Sequence, residues 1–306
     1  MNSSDESGNR PLVSIITLNY NQGAVTAEFL ESVRTLRYPR FEVLVCDMAS
    51  AVDPATVFNP ADYPHTRLLK SDTNLGFAGG NNWGMRQAKG DFIFIVNNDT
   101  ELTPDIIDKL IQPFSTNPAI GVVSPKIKYF ADRRIIQYAG FRPMNPVTGR
   151  TSTIGDLEAD HGQYDVSGPT QSAHGCAMMV KKEVIRTTGM FPEKFFLYYE
   201  EWDWSARIRK AGYLIWYESG ATIYHKESMS VGKENPMKVY YHTRNRILYM
   251  RRNNNTIQKI LFTLFFIFIA MPKAVFTYLI KGQWPELGWF FKGISYNLTH
   301  NSKSVV

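Results

Sequence analysis

Leu12–Asn19 reads LVSIITLN, an apolar run rich in β-branched residues in which apolar and polar side chains do not alternate. The same pattern returns in Phe41–Asp47 (FEVLVCD) and in Asp91–Asn97 (DFIFIVN). A strand with one face in water alternates apolar and polar residues, whereas a strand covered on both faces does not. These three segments therefore predict the central strands of a sheet that has helices on both sides.

Amphipathic helices are predicted between these strands. Ala24–Leu36 carries apolar residues at helical spacing. Thr103-Pro104-Asp105 combines an N-cap residue, a proline suited to the first helical position and an acidic first turn, which predicts the start of another helix. The other elements predicted in this half are the strands Thr66–Lys70 and Ile120–Ser124 and the helix Asn81–Ala88. This alternation predicts an α/β fold, a mostly parallel sheet flanked by helices.

From Lys126 to Gln171 the pattern is lost among Gly, Pro, Thr and Asp residues. An irregular stretch of this length in a compact domain is typical of a functional loop or flap. Regular elements are predicted again after it: the strands Gly175–Val180, Tyr213–Tyr217 and Ala221–His225, and the helices Lys182–Thr187 and Glu201–Ala211.

Polar clusters follow the predicted strands where each strand ends. They are Asn19-Tyr20-Asn21, Asp47-Met48-Ala49-Ser50 and Asn97-Asn98-Asp99. A single aspartate at a strand end is usually a turn residue or a helix cap. In an open parallel sheet, however, ligands bind beyond the carboxyl ends of the strands. Polar clusters at several such ends therefore favour one shared binding crevice.

Residues 74–82 (NLGFAGGNN) are predicted to form a glycine-rich turn that leads into a helix. Glycines allow close approach of a ligand to the backbone, and a helix N-terminus offers unpaired N–H groups to a phosphate. A simple flexible loop is the alternative interpretation. The segment matches neither the dinucleotide fingerprint nor a P-loop. That mismatch argues against a dinucleotide dehydrogenase and a P-loop kinase.

A carboxylate cluster lies in Tyr198–Asp203 (YYEEWD), just before a basic amphipathic helix. Acidic residues at a helix start commonly do no more than interact with the helix dipole. Crowded carboxylates among aromatic residues raise one another's pKa, however, and such a group suits a general base. His225 ends an apolar strand, where a structural histidine is the usual interpretation. It becomes a metal-ligand candidate only if the fold brings it near Asp99.

The net charge of +6 is concentrated in the C-terminal quarter, since residues 226–306 contain 12 basic and 3 acidic residues. The same region contains the 21-residue apolar run Ile260–Ile280. Basic charge combined with apolar residues favours a membrane surface over nucleic acid. Pro272 and Lys273 interrupt the run, which favours a bent monotopic hairpin on the cytoplasmic leaflet. A transmembrane helix and a buried core helix or dimer contact are the alternatives.

The compartment is predicted from two further features. Cys46 and Cys176 are far apart in the sequence and form no C-x-x-C pair, which favours buried thiols in a reducing cytosol. Residues 1–10 are polar and contain no apolar core, so we expect a short tail and not a signal peptide.

With these motifs in this order, the chain resembles glycosyltransferase family 2, the inverting enzymes of the nucleotide-diphospho-sugar (GT-A) fold. It is most similar to the rhamnosyltransferase-type branch that builds bacterial surface polysaccharides. By resemblance, Asn19 of the opening strand and Asp47, with Ser50 alongside, hold the nucleotide, and Met48 stands where the family usually has Asn. The further residues expected near the nucleotide and donor sugar are Asn74, Gly76, Phe77, Gly79, Asn81 and Asn98.

The resemblance also implies a metal site and a base. Asn97-Asn98-Asp99 matches the family's D-x-D-like motif, so Asp99 is the expected ligand of Mg²⁺ or Mn²⁺, with Asn97 a weaker one. His225 matches the family's late metal-binding histidine. Glu201 takes the position of the catalytic Asp in the family's E-D-x-D motif. Gly175, Glu200 and Asp203 are expected on the acceptor side.

The implied organisation is a polar tail (1–10), a GT-A catalytic domain (11–253) and a C-terminal helical membrane-association region (254–306). The implied reaction moves a sugar, with rhamnose one candidate, from a nucleotide-diphosphate donor to a saccharide or lipid-linked acceptor at the cytoplasmic face of the inner membrane. A processive polysaccharide synthase would carry a Q-x-x-R-W motif, and this sequence has none. A sugar nucleotidyltransferase would carry a Gly-rich, Arg-containing loop after the first strand, which TLNYNQG is not. The remaining alternative is a catalytically inactive, membrane-bound sugar-nucleotide binding module.

Overall fold

One mixed β-sheet organises the chain in the computed structural model, which describes residues 10–63, 65–226 and 236–302. Its strands are β1 (Val13–Asn19), β2 (Phe41–Met48), β3 (Thr66–Ser71), β4 (Phe92–Val96), β5 (Thr100–Leu102), β6 (Ile120–Tyr129), β7 (Ile136–Tyr138), β8 (Gly168–Thr170), β9 (Ala177–Lys181) and β10 (Leu214–His225). The helices are α1 (Gly23–Val33), α2 (Gly76–Gln87), α3 (Ile106–Thr116), α4 (Lys182–Thr188), α5 (Glu200–Lys210), α6 (Pro236–Asn253), α7 (Thr256–Phe265), α8 (Met271–Ile280) and α9 (Trp284–Thr299). Of the predicted tail, only Arg10 lies within the described residues.

The strand order is β3-β2-β1-β4-β9-β6-β10-β5, with β7 beside β6 and β8 beside β10. The first four strands of this order are parallel, so their carboxyl ends lie at one edge of the sheet. β9 runs antiparallel to both β4 and β6, whereas β10 is parallel to β6 and antiparallel to β5. The predicted α/β class is confirmed, and the sheet is parallel in its first half and mixed in its second.

The sheet separates two hydrophobic cores because successive side chains of a strand point to opposite faces. In β2, Val43 and Val45 pack into the core on the side of α1 and α3. Leu44 and Cys46 pack into the core on the side of α2, α4 and α5. Both faces are therefore covered, and this explains why the central strands carry no alternation of polar residues.

Several elements differ from the prediction. α2 begins at Gly76 and not at Asn81. Glycine lowers helix propensity, which is why the prediction started the helix late, but the fold accommodates these glycines inside the helix. The two strands predicted in 213–225 are one strand, β10, which carries an irregularity between Glu218 and Thr222. α6 was not predicted, since its polar, basic and aromatic residues form no clear apolar stripe.

The irregular stretch that was predicted as a loop contains the end of β6 and the short strands β7 and β8. Lys126, only 2% exposed, anchors it. The Lys126 ammonium lies 2.5 Å from an Asp165 oxygen and 3.2 Å from an Asp160 oxygen. A buried amine needs such partners, so this ion pair holds the loop against β6.

The C-terminal segment forms a helical hairpin. Thr256–Ile280 is one helix with a mean hydropathy of 2.1, and 11% of its apolar window is buried. Its middle, Phe266–Ala270, is π-helical and precedes Pro272. By length and composition this helix could cross a membrane, and it is the one such helix among the described residues. Its low burial argues against the alternative of a core helix.

α9 returns along α6 and brings the end of the hairpin back to the sheet domain. A Cβ on Gly293 would lie 2.9 Å from the carbonyl oxygen of Tyr240, so only glycine permits this approach. Asn297 Nδ2 donates to the Arg244 carbonyl at 2.9 Å. At the far end, Lys194 Nζ donates to the carbonyl of Asn301. The C-terminal end of the hairpin therefore packs along α6 and reaches Lys194 of the sheet domain, while the domain boundary at residue 253 stays a prediction.

Candidate active site

A hydrogen-bond network joins the polar strand ends. Asn19 Nδ2 donates to Asp47 Oδ1 at 2.6 Å and to Ser50 Oγ at 3.1 Å. Asn19 Oδ1 accepts from Thr26 Oγ1 at 2.8 Å, and Asn98 Nδ2 donates to the same hydroxyl at 2.9 Å. The three strand-end clusters thus come together as expected, and Thr26 of α1 links them. No sequence motif pointed to Thr26, although a hydroxyl on the apolar face of a predicted amphipathic helix was an available signal.

Met48 belongs to the core and not to this network. Its side chain is 2% exposed and packs between β2 and α2. A Cβ on Gly80 would lie only 2.8 Å from Met48 Sδ. The methionine that replaces the usual asparagine therefore fills space beneath α2.

The N-terminus of α2 is less open than its sequence suggested. The Gly76 N–H donates to Asn74 Oδ1 at 2.8 Å, and the Ala78 N–H donates to the Phe196 carbonyl at 3.2 Å. The expectation that the first N–H groups here are free for a phosphate is therefore wrong for these two groups. Gly76 has a φ of +69°, and a Cβ there would lie 2.5 Å from the Phe196 ring.

The remaining glycines and amides of this segment serve packing. A Cβ on Gly79 would lie 3.0 Å from Leu75 Cβ, and one on Gly84 would lie 2.7 Å from Ile16 Cγ2. Asn81 Nδ2 donates to the Phe77 carbonyl at 2.9 Å. The glycine pattern thus allows α2 to lie directly on the sheet, while the donor contacts predicted for Phe77, Gly79 and Asn81 stay predictions.

Asp99 and His225 are in contact, which was the condition set for a metal site. His225 Nε2 lies 3.2 Å from Asp99 Oδ1, and both residues are buried. The antiparallel pairing of β10 with β5 produces the contact because it places His225 opposite Thr100. Asn97 adjoins them and donates its backbone N–H to the Cys176 carbonyl at 2.9 Å.

The imidazole of His225 is held from its other side. Its Nδ1 lies 2.8 Å from Gln137 Oε1. This interaction leaves Nε2 to face Asp99. Burial lowers the pKa of His225, but Cys176 and the Asp99 carboxylate outweigh it and raise the pKa well above its ordinary value. Gln137 was missed because it lies in the stretch that the sequence marked only as a loop.

These side chains suit a hard divalent cation that takes further oxygen ligands from outside the protein. Within the described residues, no group of three or more His, Cys, Asp and Glu side chains is placed to hold a metal alone. Neighbouring ligands of an octahedral Mg²⁺ or Mn²⁺ lie about 3 Å apart, which matches the Asp99–His225 separation. A carboxylate and an imidazole therefore fit the cation, provided that other oxygens complete its shell.

The acidic cluster follows a strained turn. Phe196, Tyr198 and Tyr199 have φ angles of 62°, 69° and 73°. These angles lie in the left-handed region that non-glycine residues rarely adopt. Such strain often occurs at functional sites. The turn places Glu200 and Glu201 in the first turn of α5, where the helix dipole favours carboxylates.

Burial changes the acidity of both glutamates. It raises the pKa of Glu201 to about 7. Burial and the charge of Glu201 raise the pKa of Glu200 well above its ordinary value. Glu200 Oε2 is buried and has no hydrogen-bond partner among the described residues. A carboxyl group with a pKa near 7 can take a proton at physiological pH, as the predicted base must.

Two α6 residues that the sequence analysis missed hold this turn. Asn245, fully buried, donates through Nδ2 to the carbonyls of Phe195, Leu197 and Tyr198 at 2.9, 2.7 and 2.8 Å. The Arg244 guanidinium donates to the Phe195 carbonyl. Because these carbonyls precede the acidic cluster directly, α6 positions Glu200 and Glu201.

Asp203 joins α5 to α6. Its carboxylate is 1% exposed and accepts from Arg252 Nε at 2.7 Å and from Asn253 Nδ2 at 2.9 Å. Arg207 lies 3.4 Å from its other oxygen. The structure thus gives this residue, predicted on the acceptor side, an internal ion-pair role.

Gly175 lies beside Phe77 of the glycine-rich segment 74–82. The nearest atom to a Cβ placed on it is Phe77 Cζ, at 3.8 Å. Its neighbour His174 is half-buried, and the His174 ring stacks on the Phe141 ring at a centroid distance of 5.7 Å. Burial and the charge of His225 lower the pKa of His174 to about 3, so this imidazole is neutral. Gly175 keeps its acceptor-side role as a prediction.

Known proteins share the sequence pattern and the fold of this chain. The sequence pattern of the family described as Glycosyl transferase family 2 matches residues 14–189. The N-acetylglucosaminyl-diphospho-decaprenol L-rhamnosyltransferase of Mycobacterium tuberculosis is 23% identical in an alignment 266 positions long, which covers 78% of this chain and 84% of the relative. The low-salt glycan biosynthesis hexosyltransferase Agl10 of Haloferax volcanii is 29% identical over 77% of this chain and 74% of its own length.

A solved structure has the same fold. The mannosyltransferase PcManGT of Pyrobaculum calidifontis, in complex with GDP-Man and Mn²⁺, superimposes with a TM-score of 0.59 at 16% identity. The match covers 96% of this chain and 88% of that chain. The GT-A fold expected from the sequence is therefore confirmed.

Proposed function

Because the chain belongs to glycosyl transferase family 2 and is a glycosyltransferase, we propose that it moves a hexose from a nucleoside-diphosphate donor to a lipid-linked saccharide in surface-polysaccharide synthesis. The mycobacterial relative, whose name describes a diphospho-decaprenol substrate and L-rhamnose, supports a polyprenyl-diphosphate acceptor and makes rhamnose the first donor sugar to test. GDP-Man in the mannosyltransferase supports a nucleoside-diphosphate donor.

The contact between Asp99 and His225 carries this proposal. These residues are far apart in the sequence, and their side chains come within 3.2 Å of each other at the edge where the polar strand ends meet. Mn²⁺ in the mannosyltransferase complex supports a divalent cation in this role. A cation bound by Asp99 and His225, with Asn97 nearby, would neutralise charge on the leaving nucleoside diphosphate.

Glu201 is the proposed general base. Its carboxylate takes the proton from an acceptor hydroxyl while that oxygen bonds to the anomeric carbon and the bond from that carbon to the diphosphate breaks. Glu200 is its buried neighbour, and the Asn19–Asp47–Ser50 network lies at the proposed nucleotide end of the site. One displacement of this kind inverts the anomeric configuration.

The hairpin of α7, α8 and α9 is the proposed membrane attachment. Several large apolar side chains of α7, α8 and the π-helical stretch between them are exposed, among them Ile257 at 71%, Phe268 at 70%, Phe276 at 66% and Ile280 at 69%. Exposed apolar surface of this extent marks a contact with lipid or protein. The hairpin begins directly after α6, and its C-terminal end packs along the same helix. This arrangement supports a monotopic attachment, proposed at the cytoplasmic face, that keeps the active site beside a lipid-linked acceptor.

Glu201→Gln tests the base. We expect transfer to fall by about 10²–10⁴-fold, while donor binding with Mn²⁺, measured by thermal shift, stays within error. Glu31→Gln, an exposed glutamate of α1, is the matched control and should transfer at the wild-type rate. Removal of metal with EDTA should stop transfer, and Mn²⁺ should restore it. Full activity of Glu201→Gln would disprove the assignment, whereas donor binding without transfer by the wild type would favour the binding-module alternative.

A further inference from the structure

A cleft of about 400 Å³ lies where the hairpin meets the sheet domain. Its volume falls within the range of small-molecule sites, roughly 300–1,000 Å³. The side chains that line it come from the β7–β8 loop, the turn before α5, α6, the hairpin and α9. They are Arg150, Tyr199, Lys238, Val239, His242, Thr243, Arg246, Phe266, Ala270, Ala274, Tyr278 and Phe290.

One wall of the cleft is cationic. Arg150, Lys238 and Arg246 line it, and none of them forms an ion pair with a carboxylate in the part of the chain that the structure describes. Burial, together with the charge of Arg150, lowers the pKa of Arg246. Arg246 is held in place by hydrogen bonds to the Thr148 carbonyl. Like charges that share a cleft repel each other, so an anion bound among them would be stabilised.

The opposite wall is apolar. Phe266, Ala270, Ala274 and Tyr278 recur every four residues, so they form one stripe along the hairpin helix. The small side chains of the two alanines leave room against this stripe. The other side of the same helix carries exposed residues such as Phe268 and Phe276, which are the proposed lipid contact. The cleft therefore lies between the membrane-facing surface and the sheet domain.

The cleft also reaches the candidate base. Tyr199 lines it and directly precedes Glu200 and Glu201. Tyr198, one residue earlier, stacks on the ring of His242 with the centroids 4.2 Å apart. A molecule bound between the cationic and apolar walls would thus lie next to the turn from which the base projects.

We propose that this cleft binds the head of an isoprenoid lipid diphosphate, with the diphosphate against Arg150, Lys238 and Arg246 and the first isoprene units along the Phe266–Tyr278 stripe. The inference rests on the proposed function and adds the site that holds the acceptor lipid. The sugar carried by the diphosphate then extends towards Glu201. An amphiphile with an anionic head matches the cationic wall through its charge and the apolar wall through its chain. A free sugar has neither the charge nor the apolar chain.

Binding of farnesyl diphosphate to the full-length protein in neutral detergent tests the site without any transfer reaction. Inorganic diphosphate and farnesol serve as the head-only and tail-only probes. We expect farnesyl diphosphate to bind more tightly than either. Lys238→Gln and Arg150→Gln should each weaken it by about tenfold, the effect of losing one charge-assisted hydrogen bond. Arg142→Gln, on the same loop as Arg150 but outside the cleft, is the matched control.

Equal binding of farnesyl diphosphate to all variants would overturn the proposal, as would displacement by vesicles of phosphatidylglycerol at the same phosphate concentration. The latter result would assign the cations to membrane phospholipid. Donor binding with Mn²⁺, measured by thermal shift on each variant, checks the fold. If the wild-type protein neither bound the donor nor catalysed transfer, the proposed function would be refuted. The farnesyl diphosphate titration would still show whether the cleft binds an isoprenoid diphosphate.

Discussion

Glu201 is a half-buried residue at the start of α5, after a turn that α6 holds. Burial disfavours the charged form, so the proton is held until a pH near 7. The dipole of α5 and the backbone N–H groups at its start act in the opposite direction and limit the rise. The residue is thus uncharged in acid and becomes a base near neutral pH.

The pH profile follows from this value. Because only the deprotonated carboxylate accepts a proton, kcat/KM should increase about tenfold per pH unit below about 7 and level off above it. Initial rates between pH 5 and 9 with saturating Mn²⁺ measure this. A flat profile across that range would contradict the assignment.

The stability of the protein should vary with pH in the opposite sense. Since the folded pKa lies above the ordinary value of 4.5, the free energy of unfolding decreases as pH rises from about 4.5 to about 7. Glu201→Gln removes this contribution. Its melting temperature at pH 8 should therefore equal or exceed that of the wild type.

Gln137 is predicted to orient the metal-ligand histidine. Gln137→Leu removes the acceptor at 2.8 Å from His225 Nδ1, and apparent Mn²⁺ affinity should fall by roughly 10–100-fold. Gln137→Glu keeps an acceptor oxygen and should retain most of the affinity. Mn²⁺ titrations of transfer activity measure both. If the Leu and Glu variants are equal in Mn²⁺ affinity, the residue has no orienting role.

At the scale of elements, the contact of α2 with the sheet depends on glycine. A Cβ on Gly84 would lie 2.7 Å from Ile16 Cγ2 and 3.0 Å from Cys46 Sγ, inside the packed core. Although alanine favours a helix, Gly84→Ala should reduce the free energy of unfolding by about 1–3 kcal/mol through overpacking.

Gly288 in α9 offers the comparison, since an added Cβ would meet no atom within 4 Å. Gly288→Ala should raise the free energy of unfolding by about 0.5–1 kcal/mol. Urea denaturation in detergent compares the two variants. A stabilising Gly84→Ala would mean that α2 can move away from the sheet.

At the scale of the molecule, the hairpin and the sheet domain form one unit through α6. Phe195 and Trp202 of the sheet domain share a hydrophobic core with Leu248 of α6, Phe262 of α7 and Phe290 of α9. The hairpin, which is the proposed membrane attachment, therefore packs against the same core as the turn before the candidate base.

Charged substitutions on the exposed face of the hairpin helix test membrane attachment. The double variant Phe268→Glu and Phe276→Glu removes two side chains that are 70% and 66% exposed. Flotation with vesicles of phosphatidylethanolamine and phosphatidylglycerol should give at least about tenfold less bound protein. Val166→Glu, at a position 83% exposed on the β7–β8 loop, is the control and should float like the wild type. Unchanged flotation of the double variant would exclude this face.

The sequence by itself determined the α/β class, the central strands, the strand-end clusters and the apolar C-terminal helix. Each of these depends on a local pattern, such as uninterrupted β-branched runs, polar residues at their ends or apolar length. The family motifs identified the candidate residues Asp99, Glu201 and His225, because the order of motifs along the chain can be recognised without a structure.

Tertiary structure alone decided which of those residues meet. His225 reaches Asp99 because β10 pairs antiparallel with β5, a long-range register that local patterns do not encode. Asn245 and Gln137 act only through distant partners, and the cationic cleft combines residues from a loop, from α6 and from the hairpin. Contacts of this kind arise when packing brings separate elements together, so the folded chain was needed to find them.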